Sequence, residues 1–541
     1  MHLKNLFKIL NILFIFLLFY IFFSGIGSYG LLAKDEPRYA GCALEMIENH
    51  NYTVPKFNFQ DRFDKPVLFY WLIAASYKLL RVSAFSSRVP SAICAILLVL
   101  FTWYTTKKVL GSTTGFISAI ILATSIEYIF LGRRAATDIA LCLFFSASLY
   151  SMYLGYFIKD WKIKIFWTIA SGIFSGLAIL TKGPIGIVLL FVILSGFLFF
   201  RKQFDVKHIK VYFLICIAAL LVSLPWYIMV HLATNGEFTK VFFFTHNLER
   251  FTSVVGEHPG PVWFYFPVVL LGFMPWTFFL IPALFQFIKH IRKKSFNRFV
   301  LFCMIWAITV FLFFSLCKTK MATYILLLFP PLAIITGHWI TITGKKKLNL
   351  VKNTVLALLL LLSAGLIVSY LLIPKSNLEP IDKNILLSKI LISFVLLLIG
   401  ITCTMLYGKK LHSLITCFVI TLVIPGIVLL NSSMIVYHKI TFGDLCSFAR
   451  LAKEKGAREI ISFGGYKPIL VYYGRLPVDF DDKQKQIKKI KSLLDEKKYS
   501  YIIGYLSDIE KTKPIVEKNQ AVFKRFEIIK QGKRYFLGKF S

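Results

Sequence analysis

Thirteen apolar stretches dominate this chain of 541 residues, and each is long enough, or nearly so, to cross a lipid bilayer. A helix needs about 20 apolar residues to cross a hydrocarbon core of about 30 Å. Because lipid cannot hydrogen-bond to the backbone, such stretches fold as helices. The sequence therefore predicts an all-α polytopic membrane domain with about 13 transmembrane helices. The stretches are 6–23, 89–106, 114–131, 139–158, 165–180, 185–200, 211–230, 262–281, 299–317, 322–342, 350–373, 385–407 and 414–436.

A further apolar segment, 67–80, is too short for an ordinary span, and the distribution of charge predicts where it lies. If it does not cross, the loops on one side of the membrane hold 22 basic residues and two acidic residues, Asp160 and Asp205. Cytoplasmic loops carry an excess of Lys and Arg. We therefore predict that 67–80 lies at the membrane surface, with the amino terminus inside and the carboxyl terminus outside.

The last hundred residues or so have a different pattern from the spans. Strand-like segments at 459–463, 499–504, 522–529 and 534–540 alternate with helical segments at 442–455, 467–473 and 487–496. Such alternation is typical of a small α/β domain. We predict two domains, a transmembrane domain over 1–436 and a soluble domain over 437–541.

The net charge of +36 would suggest a nucleic-acid partner in a soluble protein. Here the predicted cytoplasmic loops account for +20 and the tail for +11, which leaves +5 for the spans and outer loops. The basic residues therefore mainly report membrane topology. We predict a lipid bilayer as partner and no nucleic acid.

Six clusters of polar residues lie on the predicted outer face, and charged residues near membrane depth are usually functional. The clusters mix carboxylates, imidazoles and cations, which suits a site that handles phosphate on a lipid. Each cluster alone also has a structural explanation; Glu36, for example, fits the N-cap of a helix that runs to about Glu48. The clusters are 34–40, 61–66, 133–138, 181–184, 246–251 with His258, and 318–324.

These clusters resemble, in order along the chain, the motifs of a known family. Residues 35–40 (DEPRYA) resemble its first-loop DExRYA motif, residues 63–72 (FDKPVLFYWL) resemble its [FE]KPPLFYWL segment, and residues 318–326 (KTKMATYIL) resemble KxKLPTYILP. The family is the superfamily of the bacterial undecaprenyl-phosphate 4-amino-4-deoxy-L-arabinose (aminoarabinose) transferases and the protein O-mannosyltransferases. Its members are GT-C membrane glycosyltransferases. The strong resemblance covers about 34–336.

The resemblance implies an enzyme that moves a sugar from a polyprenyl (undecaprenyl) phosphate donor to an envelope acceptor, foremost lipid A or lipopolysaccharide. It also implies the bacterial inner membrane, with the active site and the tail facing the periplasm. Transfer leaves a polyprenyl phosphate, whose developing negative charge cations can hold. The sequence has no evident nucleotide-binding loop, which agrees with a lipid-linked donor and predicts no nucleotide cofactor.

The resemblance also implies roles for single residues. Asp35 and Asp138 match acidic positions of the family's active site, and Asp35 is the general base if the acceptor is a hydroxyl. Glu36, Arg250 and His258 belong to the matching motifs. Candidates for binding the donor phosphate are Arg38, Lys65, Lys182, Lys318 or Lys320, and Tyr324.

A divalent metal is implied by the same resemblance. In aminoarabinose transferases an acid just before the first-loop lysine and a histidine of the second long loop hold a metal, and the matching positions are Asp64 and His246. His258 is a further candidate ligand. This chain has Asp where those enzymes have Glu. A carboxylate and an imidazole suit zinc, although two ligands alone do not complete a site.

Three alternatives compete with this interpretation. The first has the same fold and is a protein O-mannosyltransferase-like enzyme with a hydroxyl acceptor. The second is a transporter or lipid flippase, against which the polar residues crowd the outer rim rather than the middle of the spans. The third is a scaffold whose tail recruits soluble partners, against which the ordered motifs argue. The sequence leaves the identity of the sugar and of the acceptor open.

Overall fold

The structure is a computed structural model in which helices predominate. It describes residues 2–156, 158–203, 205, 207–249, 259–292, 297–346, 348–376, 378–408, 410–463, 465–481, 485–486, 500–506 and 526–540.

Helices that contain the predicted spans follow one another along the chain, because a long apolar run in lipid satisfies its backbone within itself. The first part of the chain forms these helices and two shorter ones, α2 and α3, that contain no predicted span. The helices are α1 (His2–Phe23), α2 (Asp35–Glu48), α3 (Leu68–Leu80), α4 (Ala84–Leu110), α5 (Ser112–Thr124), α6 (Ile126–Gly132), α7 (Thr137–Tyr156), α8 (Trp161–Lys182), α9 (Ile185–Phe200) and α10 (Lys207–Ala233).

The second part of the chain continues in the same way, with short π- and 3₁₀-helical segments between the α-helices. The elements are α11 (Glu237–Lys240), the π-helical Val241–Leu248, the 3₁₀-helical Val262–Phe264, α12 (Tyr265–Gly272), α13 (Thr277–Arg292), α14 (Arg298–Leu316), the 3₁₀-helical Ala322–Leu328, α15 (Phe329–Lys346), α16 (Leu348–Leu372), the 3₁₀-helical Ile373–Lys375, α17 (Pro380–Tyr407), α18 (Leu411–Glu454) and α19 (Ile469–Gly474).

Each of the thirteen predicted spans is formed mainly by helix where the structure describes it, with breaks at Ser125 and at 273–276. In the described part of the chain nine helices are long and apolar enough to cross a membrane, and two bent helix pairs raise that number to eleven. The other two predicted spans are the shorter apolar helices Ile12–Phe23 and Ile185–Phe200. Helix α3 has only 13 residues, the length expected of a segment that lies at the membrane surface.

The two bent pairs meet at their breaks. Helices α5 and α6 are bent by 67° and the pair formed by Val262–Gly272 and α13 by 119°. The hydroxyls of Thr124 and Ser125 donate to carbonyls one turn earlier, an arrangement that bends helices. The Ile126 N–H donates to the Met274 carbonyl at 3.3 Å, and the Trp276 indole donates to the Thr124 hydroxyl at 2.8 Å. Polar groups that are left without intrahelical partners at one break therefore form hydrogen bonds with polar groups at the other break.

The chain forms two compact units. The first, which we call the membrane unit, comprises Met1–Ile26, Phe63–Phe69 and Arg88–Ser432. The second, the loop–tail unit, comprises Gly27–Arg62, Tyr70–Ser87 and Ser433–Ser541. Most of the first outer loop thus groups with the tail. The domain division at 436/437 stays a prediction.

A mixed five-stranded sheet lies in the loop–tail unit, together with a two-stranded hairpin. The sheet order is β4-β3-β5-β7-β6, with β3 parallel to β4 and β5, and β7 antiparallel to β5 and β6. The four predicted strands correspond to β3, β5, β6 and β7, and the predicted helix 487–496 lies outside the described residues. The strands are β1 (Lys56–Phe57), β2 (Gln60–Asp61), β3 (Ile460–Ser462), β4 (Val478–Asp479), β5 (Ser500–Tyr505), β6 (Phe526–Gln531) and β7 (Tyr535–Phe540).

Candidate active site

Local sequence places two of the candidate residues at the same end of a helix pair. Helices α7 and α8 are joined by a short connection and run antiparallel, so the start of α7 and the end of α8 lie together. Asp138 is in the first turn of α7. Helix α8 ends at Lys182 because Gly183 has a φ of 96°, a conformation that other residues rarely adopt.

Lys182 and Asp138 form an ion pair. The Lys182 Nζ lies 2.6 Å from the Asp138 Oδ1, and the two side chains are only 14% and 12% exposed. The same ammonium lies 4.4 Å from the centroid of the Tyr324 ring, close enough for a cation–π interaction. Three residues that were predicted separately are therefore brought together.

A cavity of about 370 Å³ opens at this ion pair. Lys65, Asp138, Lys182, Thr319 and Tyr324 line it with polar groups. Its remaining wall is apolar and includes Val188, Phe243, Phe313 and Leu327. Such a cavity fits a ligand that carries a charged head on an apolar chain.

Lys65 reaches this cavity from the first outer loop. Its side chain is buried, and its Nζ donates to the Asp64 carbonyl at 3.0 Å. The neighbouring Phe63 packs edge-on against Phe238, with ring centroids 5.7 Å apart. Among the described residues, the cavity is thus lined by two ammonium groups, Lys65 and Lys182, and one carboxylate, Asp138. This balance favours binding of phosphate.

The lysines of the 318–320 motif differ from Lys65 and Lys182. Lys318 is exposed, whereas Lys320 is buried. The Lys320 Nζ donates to the carbonyls of Ser315 at 2.6 Å and Phe314 at 3.0 Å, so it caps the carboxyl end of α14. Burial lowers the pKa of Lys320 below its ordinary value. Neither lysine is among the described residues that line the cavity.

The first-loop motif lies in the loop–tail unit. Helix α2 begins at Asp35, and Lys34 is its N-cap residue. The expectation that Glu36 is the N-cap is therefore wrong. Glu36 is fully buried within the first turn, and its Oε2 accepts a hydrogen bond from the Leu32 N–H at 2.7 Å. The preceding loop folds back over the helix start, which places the carboxylate inside the unit.

Asp35 and Arg38 form an ion pair one turn apart on α2. The Arg38 Nε donates to the Lys34 carbonyl at 3.1 Å, and its guanidinium lies 6.0 Å from the centroid of the Tyr466 ring. The Asp35 side chain is 36% exposed, so a carboxylate at a helix amino terminus is accessible there.

The predicted metal ligands are only partly described. Asp64 is half-buried next to Lys65. The side chain of His246 lies outside the described residues, as do Arg250 and His258. The described part of the chain contains no group of three or more His, Cys, Asp or Glu residues that could hold a metal ion. The described donors therefore do not form a metal site by themselves, and we derive no step through a metal.

Sequence reasoning missed some features of this region. Thr319 lines the cavity, and its position between two motif lysines could have indicated it. The buried Oε2 of Glu127 has no hydrogen-bond partner among the described residues. Arg133 donates to the carbonyls of Ile21 and Ser24.

The chain is similar in sequence to known membrane glycosyltransferases. Residues 64–228 match the family model of the dolichyl-phosphate-mannose-protein mannosyltransferases. The undecaprenyl phosphate-alpha-4-amino-4-deoxy-L-arabinose arabinosyl transferase of Shewanella sediminis is 30% identical over 320 residues, which are 58% of this chain and 57% of that protein. A second arabinosyl transferase of this name, from Proteus mirabilis, is 28% identical over 73% of this chain and 71% of its own. This chain thus spans less than two thirds of the Shewanella protein.

Among solved structures, the crystal structure of ArnT from Cupriavidus metallidurans bound to undecaprenyl phosphate covers 98% of both chains, with a TM-score of 0.83 and 19% identity. At this identity the likeness shows the fold. The predicted fold class, a GT-C membrane domain with a small α/β domain, is confirmed. The resemblance predicted from the motifs is also confirmed, because the chain has the GT-C fold and is similar in sequence to the bacterial aminoarabinose transferases and the protein mannosyltransferases.

Proposed function

We propose that this chain is a membrane glycosyltransferase that moves a sugar from a polyprenyl (undecaprenyl) phosphate to an acceptor of the cell envelope, lipid A or lipopolysaccharide. The observation that carries the proposal is the cavity in which Lys65, Asp138, Lys182 and Tyr324 face an otherwise apolar wall. The names of the relatives support the donor class, as does the similarly folded ArnT bound to undecaprenyl phosphate.

The reaction exchanges one bond at the anomeric carbon of the sugar. An acceptor oxygen forms a bond to that carbon while the bond from the carbon to the donor phosphate oxygen breaks, and the bonding electrons leave with the polyprenyl phosphate. The leaving group changes from a phosphodiester to a phosphomonoester and so gains negative charge. Lys65 and Lys182 are placed to hold this charge, which lowers the barrier.

Asp138 and Tyr324 position Lys182 in this scheme. The carboxylate accepts a hydrogen bond from the ammonium, and the aromatic ring covers it. An ammonium carries three N–H donors, and Asp138 accepts from one of them. The donor phosphate would accept from the same group, so that Asp138 fixes the direction from which Lys182 meets it.

The role of Asp35 depends on the acceptor. An ionised phosphate on lipid A needs no base, whereas a hydroxyl acceptor would have to lose a proton, which Asp35 is proposed to take. A protein O-mannosyltransferase-like activity with a hydroxyl acceptor is the second candidate, favoured by the family model that matches residues 64–228. Asp35→Asn should abolish transfer to a hydroxyl and spare transfer to a phosphate.

A reconstituted assay tests the proposal. The purified full chain in proteoliposomes receives an undecaprenyl-phosphate aminoarabinose or a polyprenyl-phosphate mannose, with lipid A or a serine-rich peptide as acceptor, and mass spectrometry follows the product. We expect lipid A to gain one sugar. Lys182→Met should abolish the gain, and Lys108→Met, at the predicted cytoplasmic end of α4, should not. If neither donor gave up its sugar to either acceptor, the proposal would be overturned. Movement of the donor lipid across the bilayer without sugar transfer would indicate a flippase instead.

The orientation is also part of the proposal. The positive-inside rule supports the inner membrane, with the cavity and the loop–tail unit on the periplasmic side. Single cysteines at the exposed positions Lys318 and Lys108, in a chain without native cysteines, would test it. A membrane-impermeant thiol reagent added to intact spheroplasts should label the first and spare the second.

A divalent metal at Asp64 and His246 remains a proposal of its own. If the metal is required, prolonged chelation should abolish transfer and added Zn²⁺ should restore it, and Asp64→Asn should behave like the chelated protein. Full activity after chelation, with no metal left by elemental analysis, would contradict the requirement.

A further inference from the structure

A second cavity, of about 200 Å³, lies in the membrane unit away from the candidate active site. We call it the inner cavity and define it by Gln286, His290, His338 and Trp339. Helix α14 passes both cavities, since Val300 near its start lines the inner cavity and Phe313 near its end lines the other. At a rise of 1.5 Å per residue, these positions are about 20 Å apart. The inner cavity is therefore a separate feature.

The polar side chains of the inner cavity are hydrogen-bond donors within reach of a ligand. Gln286, His290 and His338 are half-buried and thus accessible in part. The Gln286 Nε2 and the His290 Nε2 lie 3.3 Å apart. A glutamine amide carries two N–H donors, and each imidazole carries at least one. Because a glutamine amide nitrogen only donates, the His290 Nε2 accepts from Gln286. The second N–H of Gln286 on α13 and the imidazole of His338 on α15 can donate into the same space.

None of the described residues that line the inner cavity is acidic. The sequence contains no Asp or Glu between Glu257 and Glu379. Lys289 and Arg298 are exposed on the adjoining helix ends. A cavity whose described lining holds imidazoles and no acid, with basic residues on the adjoining helix ends, attracts anions.

The rest of the lining is apolar and includes Ala283, Phe287, Ile335 and Ile342. The cavity also lies at the end of α13 that leads into a basic loop, the end predicted to face the cytoplasm. Basic pockets between membrane helices on this side typically bind lipid headgroups. We propose that the inner cavity binds the phosphate of an anionic phospholipid from the cytoplasmic leaflet, with an acyl chain along the apolar wall. This site is independent of the proposed sugar transfer.

A lipid-binding experiment on the full chain tests this assignment. The delipidated protein in neutral detergent is titrated with phosphatidylglycerol, phosphatidylcholine or inorganic phosphate, while its thermal unfolding and its native mass spectrum are recorded. We expect phosphatidylglycerol to raise the unfolding midpoint and to remain bound in the spectrum. Gln286→Glu keeps the side-chain shape but adds a negative charge, and it should weaken this binding about ten-fold through the lost hydrogen bond to a charged group. Gln60→Glu, which adds the same charge at an exposed position of β2, should bind as the wild type does.

Each other outcome decides against the assignment in a definite way. An equal effect of phosphatidylcholine, or unchanged binding by Gln286→Glu, would overturn it. An equal effect of inorganic phosphate, lost in Gln286→Glu, would keep an anion site but overturn the lipid as its source. Should Gln286→Glu fail to fold, His338→Gln serves in its place, because it keeps a donor and removes the imidazole. Loss of sugar transfer is not a readout here, so failure of the proposed function leaves this test intact.

Discussion

Lys182 and Arg133 are cations with little exposure near helix ends of the membrane unit, yet their partners differ. Lys182 faces a carboxylate, Asp138, at the edge of the candidate active-site cavity. Arg133 is 2% exposed, and its guanidinium donates to two backbone carbonyls and to the side-chain oxygen of Asn431. One cation lines a space that a ligand can enter, and the other is surrounded by fixed groups of the protein.

This difference teaches that a buried charge does not by itself mark a functional residue. Buried charges need partners in every case, because desolvation is costly. When the partners are backbone carbonyls of neighbouring helices, the charge joins those helices. When the partner is a single carboxylate beside a cavity, donors are left for a ligand. Substitutions at the two sites should therefore separate catalysis from stability.

Lys182→Met should produce the largest effect on catalysis. We expect the transfer rate to fall about 100-fold or more, since a donor to the developing phosphate charge is lost. The unfolding midpoint should fall less than in an Arg133 variant. Initial rates in proteoliposomes and thermal unfolding in detergent measure both quantities. A rate within about two-fold of the wild type, when normalised to folded protein, would contradict the role of Lys182.

Arg133→Met should produce the opposite result. Two carbonyls and an amide oxygen lose their donor, and each unsatisfied group costs about 1–3 kcal/mol. We expect the unfolding free energy to fall by about 3 kcal/mol or more, whereas the transfer rate per folded molecule stays near that of the wild type. Arg133→Lys keeps the charge but not the forked geometry of the guanidinium. Its unfolding free energy should lie between those of the wild type and Arg133→Met. An unchanged unfolding midpoint would refute the structural role.

Asp138→Asn should have an intermediate effect that sharpens the comparison. The amide keeps the shape of the side chain but no longer attracts the ammonium, so Lys182 loses its fixed direction. We expect the rate to fall about ten-fold, with an unchanged or lower KM for the anionic donor, because the cavity becomes more positive. Combined with Lys182→Met, the substitution should add little. Additive losses would show that the two residues act separately.

Lys320→Met should have the smallest effect, of about 2 kcal/mol on stability and little on the rate, because two carbonyls lose their donor. Burial lowers the pKa of Lys320 in the folded protein from its ordinary 10.5. In the pH interval just below 10.5 the folded form therefore binds fewer protons than the unfolded form, and stability rises with pH. The stability advantage of the wild type over the variant should grow as pH rises through this interval. Thermal unfolding of both proteins at several pH values measures it, and a constant difference would contradict the burial effect.

The membrane helices and the strands of the tail could be predicted because their signals are local. The length of the apolar stretches predicted the thirteen spans. The charge of the loops predicted that α3 does not cross the membrane. The individual candidates Lys65, Asp138, Lys182 and Tyr324 were also predicted. Their pairing was not, because Asp138 and Lys182 are 44 residues apart and meet only through the packing of α7 against α8.

Other features depend on backbone geometry that the sequence does not record. Lys182 and Lys320 are both motif lysines, but the turn after α14 brings the Lys320 Nζ back to two carbonyls five and six residues earlier. The breaks near Ser125 and Met274 require each other's hydrogen bonds. Helix α18 continues for 44 residues through the predicted boundary at 436/437, where no proline or glycine interrupts it.

The surroundings of Arg133 also constrain the order in which the protein can be completed. Its acceptors Ile21 and Ser24 are synthesised before it, but Asn431 follows 298 residues later, on the last membrane helix. During synthesis the Arg133 guanidinium therefore lacks the Asn431 acceptor until nearly the whole membrane unit has been inserted. A chain truncated before Asn431 would keep this deficit permanently. Through Arg133, the stability of the first helices depends on insertion of the last membrane helix. Incomplete molecules are therefore less stable than complete ones.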